Sequence, residues 1–289
     1  MSDPTRYTAE IDLRNVNDSH TFAIAAVPAR SSVLDVGAAD GSMARTLGQM
    51  GCRVWGVEFD PDSAALARAW CEEVVEGDVE QLDFAATFQE KFDVVLFLDV
   101  LEHLKDPLSV LRRAQQVLAD GGHMVISLPN VAHSAMRAQL LSGRFAYTEV
   151  GLLDQTHLRF FDPISVRQFL RDAGLVVLDE GRVTFPIDGT EIDVDVADLD
   201  PTVLKRLQEG EEADSYQFLF IVAPVGSKAA VDPPLLPARV LQRELRRSHD
   251  LDGHSLREFL SGLLRANRER RDALAGLLRS LDENDKTLQ

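Results

Sequence analysis

The stretch VLDVGAADG, Val33 to Gly41, decides the fold. Its first residues are an apolar run of the kind that forms a buried strand, and the residues after Gly41, SMARTLGQM, read as the opening of a helix. Between them small residues crowd together, so that a ligand can approach the backbone closely. A dinucleotide fingerprint would need G-x-G-x-x-G. Here the spacing is Gly37-x-Ala39-x-Gly41 with Ser42 next, and no Gly-Lys-Ser/Thr follows, which excludes a P-loop.

Working outward, strands and helices alternate as far as residue 128. The expected strands are 33–36, 52–58, 73–77, 92–98 and 122–128, and the expected helices are 41–50, 61–71, a short one at 81–88, and 107–118. The strands are continuous apolar runs, as strands covered on both faces are. Such alternation predicts a parallel sheet with right-handed crossovers. Asp60-Pro61 and Asp106-Pro107 are helix starts, and Gly121-Gly122 is expected to end a helix before the fifth strand. After Pro129 the pattern breaks. Asp162-Pro163 begins a helix over 163–173, and LVVLDEGRVTF and SYQFLFIVAPV read as sixth and seventh strands. The segment 187–215 holds ten acids and two bases, and reads as a solvated surface flap with a short helix at 201–209.

The first part, 1–225, forms the predicted globular domain; 226–237 is a Pro-rich linker by composition, and 238–289 is a helical extension. In that extension Leu256, Leu260, Leu263, Asn267, Arg270, Leu274, Leu277 and Leu281 lie on a heptad grid, a candidate coiled-coil seam for a homodimer. Net charge is −17, and the acidity belongs to residues 1–225, with 37 Asp/Glu against 18 Lys/Arg. That field disfavours nucleic acid as a partner. The longest aliphatic or aromatic runs are about five residues, such as VVLFL at 94–98, far below the ~20 residues of a membrane span. The N-terminus has no apolar signal core, and two cysteines, Cys52 and Cys71, do not make a disulfide framework. The expected location is cytoplasmic.

Two acids refine the ligand. Glu58 ends the second strand, 21 residues after Gly37, where a carboxylate can take two adjacent ribose hydroxyls. Asp78 follows the third strand, with Val79 beside it, placed to meet an adenine amino group and cover the ring.

At this point the chain resembles class I S-adenosylmethionine-dependent methyltransferases. VLDVGAADG is similar to the family's first motif, with Ala39 where the middle Gly usually stands. GVEFDP is similar to the second, EGDVEQLDF to the third, FDVVLFLDVLEHLKDP to the fourth and LADGGHMVISLPN to the fifth. The likeness covers about residues 20–224, and is nearest to the ubiquinone-biosynthesis type and to small-molecule and sugar O-methyltransferases. It implies a Rossmann-like α/β sheet of seven strands, the last antiparallel, with helices on both faces. It also implies S-adenosylmethionine as cofactor: Asp35 and the turn Gly37, Ala39 and Gly41 at the methionine part, Glu58 at the ribose, Asp78 and Val79 at the adenine, and Asp99 beside the methyl group.

Methyl transfer is an in-line displacement in which orientation contributes up to ~7–11 kcal/mol. A hydroxyl acceptor must also lose a proton, which calls for a base or a metal. DVLEHL supplies Asp99, Glu102 and His103, which share one face if the turn is helical. With His157 they form a candidate site for a divalent ion, Mg²⁺ or Mn²⁺, as some relatives with an E-x-x-E-H version of the motif use. His157, in DQTHLRFFDP, is the first choice of general base, and His133 the weaker one. Arg144, Tyr147 and Arg159 are candidate acceptor-pocket residues, whereas Phe145, Phe160 and Phe161 are expected in lid or core packing. The predicted reaction is methylation of a small-molecule or glycosyl acceptor at a hydroxyl oxygen. N- or C-methylation and a non-catalytic scaffold acting through the helical tail are the alternatives.

Overall fold

The structure, a computed structural model, describes residues 11–15, 17–194, 196–210 and 212–231. The expected helical extension 238–289, its leucine seam and the end of the linker lie outside the described residues. In chain order the elements are α1 (Ser19–Ala26), β1 (Ser32–Val36), α2 (Ser42–Gln49), β2 (Arg53–Glu58), α3 (Pro61–Ala67), β3 (Glu73–Glu76), α4 (Phe84–Thr87), β4 (Phe92–Leu98), α5 (Pro107–Ala114), β5 (Leu118–Pro129), α6 (Ser134–Leu141), α7 (Pro163–Asp172), β6 (Leu175–Thr184), α8 (Pro201–Gln208), β7 (Ser215–Pro224) and α9 (Lys228–Val231).

The strands form one seven-stranded sheet in the order β3-β2-β1-β4-β5-β7-β6. β1 to β5 are parallel, and β7 runs antiparallel to both its neighbours. This is the predicted seven-stranded α/β sheet with an antiparallel last strand. The chain first builds outward from β1 to β3, then returns to place β4 on the other side of β1. The carboxyl ends of β1 and β4 therefore flank a topological switch point, where open α/β sheets bind ligands.

Alternation along buried strands sends side chains to two cores. Leu34, Val36, Val95, Phe97 and Ile126 pack under α5 and α7 through Val110, Leu111, Val166 and Leu170. Val33, Val54, Val94, Leu96 and Val125 pack under α1 and α2 through Phe22, Ile24, Met43 and Leu47. Each such side chain contributes about 1.5–3 kcal/mol by burial. The Asp-Pro helix starts behave as expected. Asp60, Asp106 and Asp162 cap α3, α5 and α7, accepting from the backbone N–H groups of Ser63, Ser109 and Ser165 at 2.9, 3.1 and 2.9 Å.

Four expectations need correction. α1 and α6 have no counterpart in the sequence reading: α1 is buried on several sides and so lacks an amphipathic period, and α6 is capped by a histidine, His133, rather than a usual capping residue. Gly121 and Gly122 lie inside β5, where the pairing to β4 shifts register, and do not end a helix. A Cβ on Gly122 would stand 2.8 Å from the Phe92 carbonyl oxygen. The linker is ordered at its start, since α9 buries Ala229. Finally, the acidic segment is not merely a solvated flap. Ile187, Ile192 and Leu207 are buried with Ala135, Met136, Leu152 and Leu153 in a third, smaller core.

Candidate functional site

The turn after β1 is strained. Gly37, Ala39 and Gly41 all have positive φ, at 82°, 46° and 82°. A Cβ on Gly37 would lie 2.5 Å from a Val100 methyl, and one on Gly41 would lie 2.9 Å from the Ala67 Cα. The glycines thus let the turn close against the β4 end and against α3. Ala39 tolerates the left-handed region at some cost, and its N–H donates to Glu58 Oε2 at 2.8 Å. Glu58 Oε1 accepts the Asp60 N–H at 2.8 Å. Glu58 therefore already ties the turn to β2, and each oxygen keeps a further lone pair for a ligand.

Asp35 sits beside this turn at 3% exposure. Burial pushes its carboxyl up to about 7, with His20 opposing and Glu58 adding to the rise. Asp78 accepts the Glu80 N–H at 2.8 Å, while Val79 is buried. Arg113 of α5 holds this loop by donating to the Val79 and Glu80 carbonyls at 3.3 and 2.8 Å.

Asp99, at the end of β4, also has positive φ, 55°. Its Oδ1 accepts from Ser127 Oγ of β5 and from Gln217 Nε2 of β7, each at 2.7 Å. Ser127, Gln217 and His20 have no motif signal and were invisible in the sequence. His20 opens α1, with Nδ1 3.6 Å from Asp18. Burial works against its charge, but Asp18, with Asp99 and Asp35 behind it, outweighs burial and raises its pKa.

The second cluster follows directly. Residues Leu101–His103 form a single 3-10 turn. Glu102 is 1% exposed, its backbone oxygen accepts the Leu158 and Arg159 N–H groups, and its Oε2 has no hydrogen-bond partner. Burial, reinforced by Asp99, pushes its carboxyl well above the usual range. His157 Nε2 lies 4.0 Å from Glu102 Oε1, and His157 Nδ1 lies 3.3 Å from the Leu152 carbonyl. A carbonyl only accepts, so Nδ1 carries the proton and Nε2 is the basic nitrogen. Burial, then the neighbouring His103, lowers the His157 pKa and keeps the ring neutral. The His103 and His157 rings are 4.7 Å apart, edge to face. His103 Nδ1 is 3.0 Å from Thr156 Oγ1, which donates to Asp154 at 2.7 Å.

The sequence model of a family described as a methyltransferase domain matches residues 8–180, more than half of the chain. The chain belongs to this methyltransferase family. It is an S-adenosylmethionine-dependent methyltransferase. Ubiquinone biosynthesis O-methyltransferases are similar to it: that of Stutzerimonas stutzeri is 29% identical over 54% of this chain and 69% of its own length, and that of Pseudomonas paraeruginosa 30% identical over 54% and 69%. Among solved structures, the magnesium protoporphyrin IX methyltransferase of Synechocystis PCC 6803 overlaps 75% of this chain and 90% of its own at 15% identity and a TM-score of 0.48.

The donor set of the methyltransferase suits a cationic cofactor. Asp35 and Asp99 are carboxylates at the ends of adjacent strands, and Asp35 is buried at a cost that a cation beside it would offset. The metal set expected from the sequence is only partly assembled. Glu102, His103 and His157 place ligand atoms within 4.8 Å of one another. Asp99 is not among them: it lies outside the 3-10 turn and is engaged by Ser127 and Gln217. One carboxylate with an unpartnered buried oxygen and two imidazoles form a chemically suitable donor set for a divalent ion.

His133 does not fit a catalytic role. It is fully buried, its Nδ1 accepts the Ala135 N–H at 3.2 Å, and its Nε2 therefore donates to the Phe185 carbonyl at 3.0 Å. It caps α6 and ties it to the end of β6. The aromatic expectation divides. Phe161 is core, packed on Phe169 at 5.1 Å. Phe145, Tyr147 and Phe160 are exposed, and Tyr147, Phe145, Phe160 and His157 follow one another at ring separations of 5.5, 6.3 and 6.3 Å. They lead from the surface to the cluster.

Proposed function

We propose that this methyltransferase acts on a hydroxyl oxygen of a small molecule or glycosyl group. The observation that carries this reading is the pairing of His157 with Glu102, brought together from two distant segments next to Asp99 at the β4 end. A hydroxyl needs a proton acceptor, whereas an amine attacks in its neutral form without one. The names of the O-methyltransferase relatives agree with it, and the −17 charge argues against nucleic acid as acceptor.

S-adenosylmethionine, when bound, supplies an activated methyl group on a sulfonium. The chain's own contribution is placement and proton handling. Asp35 faces the cationic amino end, Glu58 offers its remaining lone pairs to the ribose diol, and Asp78 and Val79 meet the adenine. The Ser127 and Gln217 bonds hold Asp99 at the mouth of β4. His157 accepts the hydroxyl proton on Nε2, in the ring orientation that the Leu152 carbonyl imposes. Tyr147, Phe145 and Phe160 form the apolar approach for the acceptor, with Arg144 and Arg159 in the same loop.

The unpartnered Glu102 Oε2 favours a second reading, in which Glu102, His103 and His157 hold a divalent ion, Mg²⁺ or Mn²⁺, that would lower the acceptor hydroxyl's pKa. Turnover of a panel of hydroxylated metabolites, with and without chelator, separates the two. His157→Ala is expected to keep cofactor affinity and lose most turnover under both readings, and chelation to abolish turnover only under the second. Near-normal turnover of His157→Ala would remove His157 from the chemistry.

A further inference from the structure

We propose that Glu191, in the acidic segment between β6 and α8, is a positioning residue that sets the orientation of the His157 imidazole through the backbone of Leu152. The inference rests on the reading that His157 acts at the site.

The connection is a continuous set of hydrogen bonds. Tyr216 of β7 donates its hydroxyl to Glu191 Oε2 at 2.8 Å. Glu191 Oε1 accepts the Leu152 N–H at 2.6 Å. The carbonyl of the same residue, Leu152, takes the His157 Nδ1 proton at 3.3 Å, so that Nε2 is the nitrogen turned to Glu102 at 4.0 Å. The loop is shaped to receive the carboxylate. Gly151 has φ of +94°, and a Cβ there would stand 2.1 Å from Glu191 Oε1 and 2.7 Å from the Tyr216 hydroxyl oxygen. Only glycine leaves this room at this backbone conformation.

The surroundings make the link stiff. Leu152 and Leu153 are buried with Ile187 and Ile192 of the acidic segment. The His157 N–H donates to the Asp154 carbonyl at 2.9 Å, and the Asp154 N–H to the Gly151 carbonyl at 3.1 Å. The Leu152 N–H and carbonyl belong to successive peptide groups that meet at the buried Leu152 Cα, so Glu191, through a charge-assisted grip on the N–H, anchors the residue whose carbonyl orients His157. A displacement of ~1 Å in such a group can cost about 100-fold in rate. The acidic segment thereby takes part in the site.

The test combines a spectroscopic readout with kinetics on the full chain in chelator. Nitrogen-15 NMR of the imidazoles reports which His157 nitrogen carries the proton. Wild type is expected to show His157 as the Nδ1–H tautomer. Glu191→Ala is expected to mix the tautomers and lower kcat about tenfold or more while leaving the affinity for S-adenosylmethionine unchanged. Glu191→Gln, which keeps an acceptor for the Leu152 N–H, is expected to restore the tautomer. Tyr216→Phe removes only the distal donor, so it gives a smaller change in the same direction and guards against a folding defect in Glu191→Ala. An unmixed Nδ1–H signal in folded Glu191→Ala or Tyr216→Phe would overturn the inference. The NMR result does not depend on turnover, so it stands apart from any failure of His157→Ala to affect catalysis.

Discussion

Asp35→Asn is expected to stabilise the ligand-free protein above neutral pH while weakening its hold on the cofactor. Asp35 lies at the end of β1, in register with Gly56 of β2 and Leu96 of β4, at 3% exposure. Burial moves its carboxyl from 3.8 to about 7, with His20 pulling down and Glu58 pushing up. The unfolded chain releases this proton near the ordinary value, and the folded chain holds it until about 7. Between those limits the native state binds more protons, so stability falls as pH rises and is lost once Asp35 ionises. A separation of about three on the pH scale corresponds to about 4 kcal/mol, an upper figure for a site at the mouth of a crevice. Asparagine cannot ionise, so the variant keeps what wild type loses. At about 2–4 °C per kcal/mol for a chain of this size, the gain in Tm at pH 8 is several degrees, with a ceiling of roughly 8–16 °C. At pH 4 the two proteins should melt alike. Thermal unfolding of the ligand-free proteins across pH 4–8, with calorimetric titration of S-adenosylmethionine at pH 8, checks both halves. An Asn variant whose Tm offset is the same at both pH extremes, or that melts lower at pH 8, would refute the burial argument. Undiminished cofactor affinity would refute the assignment of Asp35 to the cationic end.

Gly37→Ala should cost about 2–3 kcal/mol in urea unfolding, because its Cβ would meet Val100 at 2.5 Å in a conformation that L residues avoid; Gly48→Ala, inside α2 with nothing within 4 Å, is the contrasting control and should gain up to about 1 kcal/mol. Arg182→Ala breaks the ion pair to Glu212 at 2.5 Å, with side chains 14% and 19% exposed, and should lose about 3 kcal/mol. Arg182 also lies over Phe218 at 5.1 Å, so hydrogen exchange should report faster opening around 212–218. Unchanged exchange there would show that this pair does not anchor the 212–218 segment.

Legibility differed sharply between the two halves of the site. Asp35, Glu58, Asp78 and Asp99 could be placed because each ends a strand within a local strand–turn–helix unit, and a parallel sheet brings such ends to one edge. His157 was singled out but not its setting, since His157 reaches Glu102 on a loop after α6 whose path depends on the third core. His133 misled for the opposite reason: its type suggested chemistry, while its burial and two backbone hydrogen bonds make it a cap. The burial of Ile187, Ile192 and Leu207 was hidden by the ten acids around them, whose charge dominated the composition without revealing which face is covered.

Apolar runs of period-two strands, Asp-Pro helix starts and a small-residue turn followed by acids at strand ends are properties of neighbouring residues. They were enough, together with the family resemblance they carry, to specify the seven-stranded methyltransferase fold and the edge of the sheet at which the acids gather. Tertiary structure alone decided that Asp99 turns to Ser127 and Gln217 rather than to Glu102, that Gly151 makes way for Glu191, and that burial lifts Asp35 to about 7. Those outcomes depend on which distant surfaces exclude water from a group and which dipoles reach it, and sequence spacing carries neither quantity.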